Sequence, residues 1–280
     1  MIFKGYMMKK KILILIVQVL YGSCFICSVS SAQQLVNPVN YELQAESKPR
    51  ILDPIDHSVF SEILKKFVNK NSGLVDYRSF RRDKEFMQKL DAYVNDLAKI
   101  DGFALEPAQE RKAYWLNLYN AIVLNEIIHH YPVNLTAEIN HFFDGKHYEI
   151  GAFKGEKVSL LDLEQKVFID RFNDPRMHLA RVNGAISGPI FSQEAFQSVT
   201  VDKKLDEITL SFLTDSSKNF YDARRNIFFV SPLFLWFQEH FGRWEHSNRF
   251  FIQKRLQGLP LNFRLEFMGF DWKLNDTRNR

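Results

Sequence analysis

The sixteen residues from Asp174 to Pro189 hold a histidine (His178), an Asn183-Gly184 pair, a serine (Ser187) and Gly188-Pro189. Asn-Gly between semi-apolar flanks is a hairpin signal, because the favoured two-residue turn needs positive φ at both central positions. Such a turn would set Val182 opposite Ala185, Ala180 opposite Ser187 and His178 opposite Pro189. His178 and Ser187 would then be diagonal neighbours on one face, roughly 7–8 Å apart at Cβ. An imidazole could reach across that gap and take the serine proton as a general base. The same pattern also describes a structural hairpin whose histidine bonds only a carbonyl.

A second polar pair sits in the stretch Tyr114-Trp115-Leu116-Asn117-Leu118-Tyr119-Asn120-Ala121-Ile122-Val123-Leu124, which is otherwise apolar all round. A helix without a polar face belongs in the interior. Asn117 and Asn120 lie one turn apart on one face of it. A buried amide without partners costs about 1–3 kcal/mol. The two are therefore either staples to neighbouring loops or the lining of a polar cleft. The eight histidines give no metal-ligand spacing. His129 and His130 are adjacent and point to different helix faces, and neither His141/His147 nor His240/His246 follows HExxH. No phosphate loop and no G-x-S-x-G elbow occurs, so no metal or cofactor is expected.

The elements that must position these groups follow from periodicity. Phe60, Ile63, Leu64, Phe67 and Val68 mark a helix over 56–70. Leu74 to Tyr77 read as a short extended piece. A second helix spans 83–99, and a third runs from Pro107 to Tyr131, where Pro132 stops it. Tyr148 to Ile150 and Val158 flank a glycine-containing loop and read as a hairpin. Ser159 with Asp162 resembles a capping box opening a helix to Phe172. Further helices are expected over 202–214, from Ser231-Pro232 to His240 and over 248–257, with strands at 227–230 and 263–267. The result is an α+β fold, a helix-rich single domain with a small, mostly antiparallel sheet.

The chain has 280 residues, with 37 Lys+Arg against 33 Asp+Glu and two cysteines. Residues 1–32 carry Lys4, Lys9, Lys10 and Lys11 and no acid, then the apolar run Ile12–Leu20 and its looser extension to Val29, then Ser30-Ser31-Ala32. This is the pattern of a secretory signal peptide, or of an uncleaved anchor. Residues 33–50 form a polar lead and 51–280 the domain. Removing 1–32 leaves 33 charges of each sign and takes away both Cys24 and Cys27. The exported protein, periplasmic or extracellular, would be neutral and thiol-free, with no membrane span. That excludes a disulfide, a zinc-thiolate site and a cysteine nucleophile. It also removes the electrostatic basis for nucleic-acid binding.

From about Leu74 to Asn275 the chain resembles the secreted bacterial DUF547 family. Lys112 to Ala121 is similar to its "AFWINLYNA" helix, Ser159 to Glu164 to "SLDDIEH" and Asp174 to His178 to "DPRIH". Leu74 to Arg78, Tyr131 to Val133, Phe229 to Phe234 and Phe270 to Asn275 resemble its opening, middle and closing motifs. The resemblance implies a papain- or transglutaminase-like fold, a Cys, His and Glu chemistry, and peptide or glutathione-like ligands. Glu164 and His178 match that pattern. The family's second histidine falls on Gln165, its nucleophile in "NCGAKSCP" on Asn183, and its second cysteine on Gly188. Asparagine has no ionisable proton to lose near neutral pH, so it cannot replace a thiolate.

Three readings follow. The first is a catalytically degenerate envelope protein that binds a peptide, a glutathione-like or peptidoglycan-derived ligand, or a partner protein, in a cleft walled by Trp115, Tyr119, His178 and Asn183, with Asn117 and Asn120 nearby. The second is a hydrolase or acyltransferase with Ser187 as nucleophile, His178 as base and Glu164 as its orienter. The third is a structural protein with a collapsed cleft.

Overall fold

A computed structural model describes residues 54–241 and 245–279, all within the compact unit Ile51–Arg280. The readings for 1–32 and 33–50 lie outside the described residues. Helix α1 (Ser58–Phe67) buries Phe60, Ile63, Leu64 and Phe67, the stripe its spacing predicts. Val75 is extended as expected and bridges Val68 and Asp276, and the chain then turns into a short helix, α2 (Tyr77–Arg82), which takes in Tyr77. The Asp76 side chain accepts from the Ser79 N–H and caps it. Helix α3 (Lys84–Ala98) is capped in the same way by Asp83.

Helix α4 (Ala108–His130) is the axis of the molecule. Every residue from Ala113 to Leu124 is buried, so other elements must surround it on all sides. Strands β1 (Tyr148–Glu149) and β2 (Lys157–Val158) pair antiparallel as the expected hairpin. Ser159 and Asp162 make the reciprocal capping box that opens α5 (Leu160–Leu163). Its last turn widens into a π-helical segment, Glu164–Ile169. One extra residue in a turn rotates the side chains that follow, which is why such turns recur at functional sites.

Helix α6 (Met177–Ala180) follows, then α7 (Val201–Thr214) and β3 (Phe220–Asp222). Strand β4 (Ile227–Val230) leads to α8 (Leu233–Trp236), α9 (Gln238–Phe241), α10 (Glu245–Gln253) and β5 (Arg264–Phe267). The single helix expected up to His240 is two pieces, broken at Phe237. Strand β4 pairs antiparallel with β3 and parallel with β5. A parallel neighbour needs a crossover, and α8 to α10 provide it.

Apolar burial forms two clusters. The larger surrounds α4 and includes Met177, Ala180 and Val182. The smaller joins the three-stranded sheet to α8–α10 and includes Leu179. Helix α6 therefore lies along the seam, its apolar residues divided between two cores. No helix among the described residues is long and apolar enough to cross a membrane.

Candidate functional site

His178 sits on α6, not on a hairpin strand. The expected two-residue hairpin does not form. Asn183 makes a local turn instead, its Oδ1 accepting from the Ala185 N–H at 3.0 Å. Gly184 has φ of +78°, and a Cβ there would lie 2.7 Å from Thr136 Cγ2. The segment after the turn pairs with the C-terminal strap rather than with α6. Ala185 bridges Leu274, and the Ile186 N–H donates to the Lys273 carbonyl at 2.9 Å.

That strap fixes Ser187. Its Oγ accepts from the Asp271 N–H at 2.9 Å, and its own N–H donates to the Asp271 carbonyl at 3.3 Å. Both ring nitrogens of His178 are committed elsewhere. Arg181 Nη2 donates to Nδ1 at 2.7 Å, and Nε2 lies 2.7 Å from His240 Nδ1. A guanidinium has donors only, so Nδ1 must offer its lone pair. The ring proton is then on Nε2 and is donated to His240. Burial, with the Arg181 charge and His240 beside it, pushes His178 well below the ordinary histidine range. A neutral imidazole whose lone pair is occupied cannot act as a base for Ser187.

Glu164 and His178 come together through Arg181. Arg181 Nη1 lies 2.8 Å from Glu164 Oε1, an ion pair without hydrogen-bond alignment, and its Nε finds no acceptor. Glu164 Oε1 also accepts from the Tyr119 hydroxyl at 3.0 Å. Burial, together with Glu164, holds the Tyr119 phenol well above its ordinary value. The guanidinium lies over the rings of Phe168 (4.8 Å), Tyr119 (5.3 Å) and Phe237 (5.4 Å). Phe237, at the break between α8 and α9, also stacks on His178 at 4.1 Å. Sequence reasoning missed Arg181. The available signal was one charge inside Leu179-Ala180-Arg181-Val182, a turn after His178.

Asn117 and Asn120 are staples. Asn117 donates to the Phe196 carbonyl at 2.9 Å and accepts from the Phe196 N–H at 2.8 Å. Asn120 donates to the Ala180 carbonyl at 3.0 Å and accepts from the Val182 N–H at 2.9 Å. Asn120 thus holds the chain on both sides of Arg181. Tyr119 and His178 are buried and line no open cleft together with Trp115 and Asn183. Gln165 donates to Asp170 at 2.7 Å. Asn183 and Gly188 are coupled, since a Cβ on Gly188 would run into Asn183 Oδ1.

The Asp174-Pro175-Arg176 motif clamps α6 from outside. Arg176 grips Asp174 with two parallel bonds of 2.9 and 2.6 Å and reaches Asp202 at 2.7 Å and Asp206 at 2.9 Å on α7. Lys112 of α4 bridges Asp174 and Asp202 at 3.1 and 2.7 Å. Burial works upward on the Asp174 carboxyl, but Arg176 and Lys112 outweigh it and hold it below the usual range. Beside this clamp opens a cavity of about 660 Å³, lined by residues of 103–115 and 171–176. Trp115 is on its wall. Tyr119, His178 and Asn183 are not.

The site is therefore a Tyr–Glu–Arg–His–His chain, buried at Tyr119, Arg181 and His178 and half-buried at Glu164 and His240, at the seam of two cores in an α+β domain, with an open polar cavity to one side. Residues 104–213 match the family model described as "Protein of unknown function, DUF547", a span that holds α4, Glu164, His178, Arg181, Asn183 and Gly188. No curated protein and no solved structure matches the chain. No group of three or more His, Cys, Asp or Glu among the described residues could hold a metal ion.

Proposed function

We propose that this chain is an exported DUF547-type protein that binds rather than turns over. Its ligand would be a peptide, a glutathione-like or peptidoglycan-derived molecule, or an envelope partner. The carrying observation is that both nitrogens of His178 are taken, one by Arg181 and the other by His240. The lack of any cysteine after Cys27 supports it, as does Asn183 at the position that resembles the family's nucleophile. The papain-like likeness belongs to the same reading, in which Arg181 fills the space of a catalytic pair. With that centre filled, binding moves to the open cavity beside Trp115.

The test is an assay of peptide hydrolysis and acyl transfer on the purified protein, with the Ser187→Ala and His178→Gln variants beside it. No turnover above background is expected. In Asn183→Cys, a thiol of ordinary reactivity, with pKa about 8.5, is expected while Arg181 holds His178. Wild-type turnover that both Ser187→Ala and His178→Gln abolish would overturn the reading. Fractionation with N-terminal sequencing checks the export half, with Gln33 expected as the first residue.

A further inference from the structure

The cavity at the start of α4 has walls of both charge signs, and their pairing is uneven. Arg176 takes Asp174, Asp202 and Asp206, and Lys112 shares the first two. Arg111 pairs with Glu106 and donates to the Leu105 carbonyl. Arg171 is left with no carboxylate partner among the described residues. Its guanidinium carbon lies over the Phe103 ring at 4.0 Å. Phe103 in turn packs on Trp115 at 5.0 Å, and Phe172 is on the same cavity wall. Trp115 is fully buried, and its indole N–H finds no acceptor.

A guanidinium held on an aromatic face keeps its edge available for two parallel bonds to a planar oxyanion. Glu106 and Asp174 on the cavity wall are already paired with Arg111, Lys112 and Arg176, so a ligand of one negative charge balances the unpaired Arg171. The aromatic side chains suit an apolar body. The volume is in the range of small-molecule sites, about 300–1,000 Å³. From these observations we infer that the cavity binds a small monocarboxylate with an aromatic or apolar body, anchored by Arg171 over Phe103. The inference rests on the binding reading above and names its ligand class.

The probe is N-acetylphenylalanine, compared with its amide and with phenyl phosphate, titrated into the purified protein and followed by calorimetry and by the Trp115 indole resonance. The acid is expected to bind and to shift that resonance. The amide should bind at least about tenfold more weakly. Arg171→Leu should lose about tenfold for the acid and nothing for the amide, with Arg171→Lys in between. Arg171 is exposed, so its variants are expected to fold, and an unchanged melting temperature verifies that. Equal binding of acid and amide, tighter binding of the phosphate, or no binding of the acid up to about 10 mM would each overturn the assignment. None of these outcomes bears on turnover, so failure here is distinguishable from failure of the non-catalytic reading.

Discussion

Arg181 is the residue on which the site's chemistry turns. A buried guanidinium is costly to desolvate, and its attraction to Glu164 offsets that cost only because both partners are present. Arg181→Met therefore does more than remove a contact, for it leaves Glu164 in a nearly closed pocket with only Tyr119 as donor. Loss of one partner of such a pair costs about 3–5 kcal/mol. Replacing both with neutral groups of similar shape removes the stranded charge. Urea denaturation should show Arg181→Met destabilised by about that amount and Arg181→Met/Glu164→Gln recovering most of it. Additive losses in the double variant would show that the two side chains are not an energetic pair.

At the scale of elements, α4 carries the site by holding loops with amides. Its all-round apolar surface identified it as the central helix from sequence alone, because no other placement hides that many apolar side chains. The capping box at Ser159 and the α1, α3 and α7 helices were legible for similar reasons, being local patterns of cap and period. The segment after His178 was not. An Asn-Gly signal is also local, but the partner of Ser187 is Asp271, and no local pattern reports a pairing across so much chain. The break at Phe237 was hidden too, since the ring it stacks on, His178, lies far away in sequence. The staple role of Asn120 yields a measurable consequence. In Asn120→Leu the Ala180 carbonyl and the Val182 N–H lose their partners in buried surroundings, at about 1–3 kcal/mol per group. Asn120→Leu should therefore lower stability by about 2–6 kcal/mol. Hydrogen exchange at Val182 should accelerate more than at Phe196, which Asn117 holds. Equal acceleration at both would show a general loss of packing instead.

For the whole molecule, two buried neutral histidines link folding to pH. His57 lies under α1 and α3, its Nδ1 2.7 Å from the Tyr93 hydroxyl, and burial lowers its pKa to about 4 although Asp56 pulls the other way. His178 is lowered by burial first and then by Arg181 and His240. In the unfolded chain both take a proton near pH 6.5. The folded state resists that protonation, so its stability is full above about pH 6.5 and falls as the medium acidifies toward the folded values. Each histidine contributes a slope of about 1.4 kcal/mol per pH unit in that window. Together they should remove about 4 kcal/mol between pH 7 and 5, a sizeable part of the 5–15 kcal/mol that holds a typical domain. Asp174, Asp202 and Asp215 are held below the usual carboxylate range by their Lys and Arg partners, so their stabilisation is lost only below about pH 4. The histidine window is therefore separate from ordinary acid unfolding. Denaturation midpoints measured from pH 7 to 5 should fall steadily, and His57→Gln should remove about half of the slope. A midpoint that stays level down to pH 5 would mean that neither ring is held neutral by the fold.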